Sequence, residues 1–121
     1  MARLLIVEDD ANQRELYRQE LESEGYEVLT AADGQEAVNI VKERDVDLVV
    51  LDINMPVVDG IEALGRILSR DNTLPIIIHT AYAHYKDNFM TWTAEHYIIK
   101  SSDLTELKKR IKEVLSARGG E

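Results

Sequence analysis

Short apolar runs alternate along this chain with longer segments in which apolar residues recur every three or four positions. The apolar runs predict five β-strands, which lie at residues 4–7, 28–29, 48–51, 76–78 and 97–99. The spacing typical of an amphipathic helix recurs after each of the first three runs, beginning with the apolar stripe Leu16, Tyr17 and Leu21, and after the last one. Residues 83–95 are less regular, and a helix is expected there because of its place in the alternation. The pattern therefore predicts five strands, each followed by a helix.

Aspartate residues mark the predicted helix starts. Four aspartates are each followed three positions later by Gln or Glu, the spacing of a capping box: Asp10, Asp33, Asp59 and Asp103. The carboxylate of such a residue accepts hydrogen bonds from the first turn and suits the positive end of the helix dipole. This alternation predicts an α/β fold, (βα)5, with a doubly wound, five-stranded parallel sheet. Residues 48–51 are apolar without interruption, which predicts a central strand buried on both faces.

Composition and charge exclude several classes of protein. The chain has 121 residues, 14 basic and 23 acidic side chains and a formal net charge of −9, so nucleic acid and anionic membranes should repel it. No stretch approaches the roughly 20 apolar residues of a membrane span, and without cysteine there is no thiol nucleophile or thiolate metal site. We expect a cytoplasmic single domain at residues 1–118, with 119–121 a disordered tail or the stub of a longer chain.

Acidic residues directly follow two of the predicted strands. Glu8, Asp9 and Asp10 come after the first strand, and Asp52 comes after the third. Ligands of open parallel sheets bind beyond the carboxyl ends of the strands, so these side chains are expected to share a crevice. Carboxylates that lie so close repel one another unless a cation neutralises them, and ligands that are all oxygen suit Mg²⁺. Asp10 is equally well explained as a helix cap.

Two further strand ends carry chemistry that complements the carboxylates. Thr80 ends the fourth strand with a hydroxyl, and Lys100 ends the fifth with an ammonium group. A carboxylate, a divalent cation, a hydroxyl and an ammonium around one crevice are typical of a phosphoryl-binding site. Aspartate is itself the nucleophile in enzymes that form aspartyl phosphate. His79, beside Thr80, could be catalytic, but a hydrogen-bonded core or edge histidine is the expectation.

The motifs LLIVEDD, VVLDINMPVVDGIE, PIIIHTAY and YIIKSSDLTEL resemble the receiver domain of bacterial two-component response regulators, the CheY-like family. The resemblance covers essentially the whole chain. It implies a flavodoxin-like sheet with strand order 2-1-3-4-5. It also implies a Mg²⁺-dependent phosphoacceptor that receives a phosphoryl group from a histidine kinase or histidine phosphotransfer protein. An unknown downstream protein would then bind differently.

The resemblance assigns the metal and phosphoryl groups to named residues. Asp52 would be the phosphoacceptor and, with Glu8, Asp9 and the backbone carbonyl of Asn54, a ligand of Mg²⁺. Lys100 would pair with a phosphoryl oxygen.

The same resemblance assigns the switch. Thr80 would move toward the phosphoryl group and allow Tyr97 to turn inward. Ala81 would leave the site open, and Tyr82 together with Asn54 would influence the rate of dephosphorylation. Ser101 departs from the family, in which proline usually follows the lysine, so the shape of that loop is left open.

Other functions remain as alternatives. A degenerate receiver could act as a docking module without phosphorylation, or the chain could be the receiver of a larger multidomain regulator. A phosphatase or phosphotransferase usually has a second acidic residue two positions after the nucleophile, and here that position is Asn54. We therefore expect self-phosphorylation and self-dephosphorylation but no enzymatic turnover, in a monomer or weak dimer. A flavin-binding protein of similar topology is a more distant alternative, because no phosphate-cradling loop follows the first strand.

Overall fold

The computed structural model describes residues 1–52, 60–70, 73–81, 94–101 and 103–117. Within them the chain forms five strands and four helices in this order: β1 (Arg3–Val7), α1 (Ala11–Ser23), β2 (Glu27–Ala31), α2 (Gly34–Glu43), β3 (Leu48–Leu51), α3 (Gly60–Arg70), β4 (Ile76–Thr80), β5 (His96–Ile99) and α4 (Thr105–Ala117). The helix expected at 83–95 falls almost entirely outside the described residues. So do Asn54, Asp59, Tyr82 and the tail at 119–121.

The strands form one parallel sheet in the order β2-β1-β3-β4-β5. Strand β1 pairs with β2 on one side and with β3 on the other, so the strand order reverses at β1 and β3. Strand β4 follows β3, and β5 is at the edge. The predicted fold and strand order are confirmed.

Two apolar clusters cover the two faces of this sheet, because side chains alternate along each strand. The face packed by α2 and α3 carries Leu5, Val7, Val49, Leu51, Ile76 and Ile78. The face packed by α1 and α4 carries Leu4, Ile6, Leu48, Val50, Ile77 and Ile98. All four residues of β3 are buried, as their unbroken apolar run predicted.

The aspartate caps position the helices that follow the strands. Asp10 Oδ1 accepts from the backbone N–H of Gln13 at 3.0 Å, and Asp33 Oδ1 accepts from that of Glu36 at 2.9 Å. Asp103 differs from the expectation, because its carboxylate accepts from Thr105 at 3.0 Å, two residues ahead instead of three. Each cap satisfies backbone donors that have no partner within their helix. Among the described residues no helix has both the length and the apolar character of a membrane span.

Candidate functional site

Glu8, Asp52 and Lys100 directly follow the last residues of β1, β3 and β5. The N–H of Glu8 still bonds the last residue of β2, Ala31, at 3.0 Å, and that of Asp52 bonds the last residue of β1, Val7, at 3.1 Å. The N–H of Lys100 likewise donates to the carbonyl of Thr80, the last residue of β4, at 2.7 Å. The sheet ladder therefore continues one residue beyond each strand and fixes the backbone from which each polar side chain projects.

The predicted acidic cluster forms at this edge of the sheet. Glu8, Asp9 and Asp52 each have a carboxylate oxygen, and these oxygens all lie within 4.8 Å of one another. Glu8 is 2% exposed and Asp52 is 8% exposed, whereas Asp9 is open to solvent. A cluster of oxygen ligands with one open side fits a hard cation such as Mg²⁺, which keeps part of its water shell. The residues present therefore suit the predicted metal.

Lys100 lies between the two buried carboxylates. Its Nζ is 2.5 Å from Glu8 Oε1, 3.0 Å from Asp52 Oδ2 and 2.7 Å from the side-chain oxygen of Gln13. Burial alone would lower the pKa of Lys100, but the hydrogen bond to Glu8 and the negative charge of Asp52 raise it above its usual value. The ammonium is therefore the counter-charge of this part of the site.

Whereas burial alone would lower the pKa of Lys100, burial raises the pKa of Glu8. Removal from water raises the pKa of its carboxyl group, although hydrogen bonds from Lys100 and from the N–H of Asp10 partly offset the effect. The second contact joins Glu8 Oε2 to the Asp10 nitrogen at 3.1 Å. A buried carboxylate whose charged form is disfavoured gains from a nearby cation. Glu8 thus suits the inner side of a metal site.

Arg14 supports the loop that carries the acidic pair. Its Nη1 donates to the backbone carbonyl of Glu8 at 2.9 Å and lies 3.5 Å from that of Asp9. Charged donors make strong hydrogen bonds to carbonyls. The guanidinium therefore fixes the path of the chain between β1 and α1. No motif of the sequence indicated this role of Arg14.

The two predicted switch residues lie on the same side of the sheet. Thr80 is fully buried at the end of β4 and alternates with His79, which faces the other side. Tyr97 is half-buried on β5 and packs against the cluster on the α2 and α3 side, the side on which the β4 alternation places Thr80. Ala81 is exposed. Asn54 and Tyr82 are outside the described residues, so their predicted roles stay predictions.

His79 forms a buried contact on the opposite face. Its Nδ1 is 2.6 Å from the hydroxyl of Tyr17, and the two rings meet edge to face with centroids 5.6 Å apart. Burial and the positive charge of Lys100 lower the pKa of His79 to about 4. The expectation that His79 is a hydrogen-bonded core residue is confirmed. Its partner was not foreseen, because Tyr17 fitted the apolar stripe of α1.

Comparison with known proteins identifies the family. The chain matches the response regulator receiver domain over residues 4–112. It belongs to that family. As a receiver it resembles TrrA of Thermotoga maritima in complex with Mg²⁺-BeF, with 43% identity, a TM-score of 0.91 and coverage of 95% of this chain and 100% of TrrA.

A second structure of TrrA and one curated relative support the assignment to a two-component system. TrrA in complex with the histidine kinase ThkA is 43% identical, with a TM-score of 0.88 over 95% of this chain and 99% of that one. The transcriptional regulatory protein PrrA of Mycobacterium tuberculosis is 36% identical over 119 residues, which are 97% of this chain and 51% of PrrA. The chain thus spans about half the length of this curated relative.

Proposed function

We propose that this receiver is a Mg²⁺-dependent phosphoacceptor switch, with Asp52 as the residue that is phosphorylated. The observation that carries the proposal is the position of Asp52, whose Oδ2 lies 3.0 Å from Lys100 Nζ and whose carboxylate belongs to the cluster formed with Glu8 and Asp9. The complex of TrrA with Mg²⁺-BeF supports the same assignment by similarity. The three carboxylates and the backbone carbonyl of Asn54 would be the protein ligands of the metal.

Phosphoryl transfer to Asp52 requires an aligned nucleophile and neutralised charge. An Asp52 oxygen forms the bond to phosphorus while the bond from phosphorus to the donor's imidazole nitrogen breaks, and the donor keeps that electron pair. Lys100 donates to a phosphoryl oxygen, and the hydroxyl of Thr80 donates to another. Glu8, Asp9 and Asp52 would hold Mg²⁺, which would supply further positive charge for the phosphoryl oxygens.

The phosphoryl donor would be a histidine kinase or a histidine phosphotransfer protein. TrrA forms a complex with the histidine kinase ThkA, and this chain is 43% identical to TrrA. Phosphorylation would move Thr80 and Tyr97 and alter binding of a downstream protein. We place the receiver in the cytoplasm as a monomer or weak dimer, without direct contact with nucleic acid or membrane.

The chemistry is that of a switch and not of an enzyme with turnover. Asp52 would be phosphorylated once and would lose its phosphoryl group to water. Asn54 stands where aspartyl-phosphate enzymes commonly carry a second acid. Ala81 and Tyr82 would then tune access of water and the lifetime of the phosphorylated form.

The test is intact mass after incubation with acetyl phosphate and Mg²⁺. We expect one added phosphoryl group, absent without metal and absent in Asp52→Asn. Asp33→Asn is the matched control, because Asp33 is likewise an aspartate that comes shortly after a strand, but it caps α2 and lies outside the acidic cluster. That variant is expected to gain the phosphoryl group normally.

A second measurement applies if the phosphoryl group on Asp52 is hydrolysed too rapidly to be detected by mass. Beryllofluoride forms a stable mimic of the phosphorylated aspartate, so calorimetric titration in the presence of Mg²⁺ reports a competent site even when the phosphoryl group is short-lived. If neither phosphorylation nor beryllofluoride binding occurs, the proposal is wrong and a phosphorylation-independent docking module becomes the better explanation.

A further inference from the structure

All three hydrogen-bond donors of the Lys100 ammonium have an acceptor. A lysine ammonium carries three N–H groups. The acceptors are Glu8 Oε1 at 2.5 Å, Gln13 Oε1 at 2.7 Å and Asp52 Oδ2 at 3.0 Å. A phosphoryl oxygen that binds Lys100 must therefore replace one of these three contacts.

The three acceptors differ in how easily they are replaced. Glu8 is 2% exposed and accepts as a carboxylate, whereas Asp52, at 8% exposed, would pass its charge to the attached phosphoryl group but keep a buried oxygen that water could not readily reach. Hydrogen bonds between charged partners are about twice as strong as neutral ones, and a buried carboxylate that loses its cation is left uncompensated. Gln13 is neutral and exposed, so water readily replaces Lys100 at its oxygen. Gln13 is thus the acceptor that is lost at the lowest free-energy cost.

The local structure holds Gln13 beside the site. Its backbone N–H donates to Asp10 Oδ1 at 3.0 Å, which fixes it in the first turn of α1. A cavity of about 350 Å³ lies next to its side chain and is also lined by Lys100 and Ser101. The Gln13 amide therefore has room to move away while the helix stays in place.

We infer that Gln13 is a positioning residue, which acts through Lys100 and competes with the phosphoryl group for one of its N–H donors. In the unphosphorylated receiver the amide oxygen holds the ammonium; in the phosphorylated form a phosphoryl oxygen takes its place. The inference rests on the proposed function. By this competition Gln13 stabilises the unphosphorylated state and lowers the stability or the lifetime of the phosphorylated form.

The test compares beryllofluoride affinity with Mg²⁺ affinity in Gln13→Met, by calorimetry of the full chain. Methionine keeps the length of the side chain and removes the amide oxygen. Loss of one solvent-exposed hydrogen bond that competes with the ligand predicts beryllofluoride binding about three- to tenfold tighter at saturating Mg²⁺. Affinity for Mg²⁺ alone is expected to stay within about twofold, because the metal ligands are unchanged.

Two further variants distinguish this role of Gln13 from the effect of replacing any exposed glutamine of α1. Gln13→Asn keeps the amide but withdraws it by one methylene, and it is expected to behave like Gln13→Met. Gln19→Met changes another exposed glutamine of α1, whose amide donates to Glu15 at 3.0 Å, and it is expected to bind beryllofluoride like the wild type.

The outcomes distinguish this inference from the proposed function. Wild-type binding of beryllofluoride together with unchanged or weaker binding by Gln13→Met would overturn the competition and leave the phosphoacceptor intact. A parallel change in Mg²⁺ affinity would also overturn it, since the substitution would then act on the carboxylates. Failure of the wild type to bind would overturn both.

Discussion

The two ends of the sheet each hold a cation among carboxylates, but in different surroundings. At the amino end of β1, Arg3 Nε bonds Glu27 Oε2 at 2.9 Å, and the Arg3 backbone N–H bonds Asp47 Oδ2 at 2.8 Å. The side chains of Arg3 and Glu27 are 29% and 41% exposed. At the carboxyl ends, Lys100 is 16% exposed and its partner Glu8 is 2% exposed.

This difference in exposure distinguishes a screened surface contact from the candidate functional site. Water screens the Arg3 pair, so the pair contributes little to stability and its loss costs little. The carboxylates around Lys100 have little contact with water, so each depends on the cation beside it. That dependence supports the proposal that the carboxyl end responds to a metal ion or a phosphoryl group, whereas the contacts at the amino end join β1 to its neighbours.

Removal of the cation at each end should show the largest contrast. Lys100→Met leaves Glu8 and Asp52 without their counter-charge, and in Mg²⁺-free buffer we expect the free energy of unfolding to fall by about 3 to 5 kcal/mol. Arg3→Met is the matched variant, with an expected loss of about 1 kcal/mol or less. Urea unfolding measures both, and equal losses would contradict the comparison.

Acid should act strongly at the carboxyl end through His79. Its pKa is about 4 in the folded chain, below the usual 6.5, so the unfolded chain binds more protons between these values. Stability from neutral His79 is complete above about pH 6.5 and falls by up to about 3 kcal/mol as the pH decreases toward 4.

The control for this pH dependence is His79→Gln, which offers Tyr17 an acceptor that does not titrate. The difference in unfolding free energy between the two proteins isolates the histidine, because the other acidic groups titrate in both. If the difference is constant from pH 7 to pH 4.5, the assignment is wrong.

Mg²⁺ should stabilise only through the carboxyl end. At a Mg²⁺ concentration ten times the dissociation constant, a ligand of the folded state adds about 1.4 kcal/mol to the free energy of unfolding. We expect Asp9→Asn to lose most of this gain and Asp47→Asn at the amino end to keep it. Thermal melts with and without Mg²⁺ decide the point, and an equal response of the two variants would refute it.

The smallest expected effect is the coupling between Arg3 and Glu27. A double-mutant cycle with Arg3→Met and Glu27→Gln should give less than about 1 kcal/mol at low salt and close to zero at high salt. A coupling that is larger, or that persists in high salt, would mean that this pair is less screened than its exposure indicates.

Much of the fold and of the site could be predicted from local patterns. The unbroken apolar run of β3 indicated a strand buried on both faces, and polar residues directly after strands indicated the crevice. Glu8, Asp52, Thr80 and Lys100 could be chosen in this way because a strand of a parallel sheet delivers its next residue to a common edge. Asn54 and Tyr82 stay predictions that depend on family resemblance.

The contacts of Gln13 and Tyr17 could not be predicted in the same way. Gln13 meets Lys100 across 87 positions, and Tyr17 meets His79 across 62. In the sequence, Gln13 fitted a capping motif and Tyr17 fitted an apolar stripe. Both interpretations describe the helix correctly, but neither identifies the residue that the polar group of each side chain contacts.

The sequence by itself determined the alternation along the chain of the described strands and helices, the parallel sheet and the residues that lie at its carboxyl edge. These follow from periodicity, helix caps and strand ends, which are properties of neighbouring residues. Only the tertiary structure decided that Lys100 divides its three donors among Glu8, Gln13 and Asp52, and that His79 lies buried against Tyr17. Such contacts depend on how a helix packs over a sheet, and that geometry arises when distant segments exclude water together.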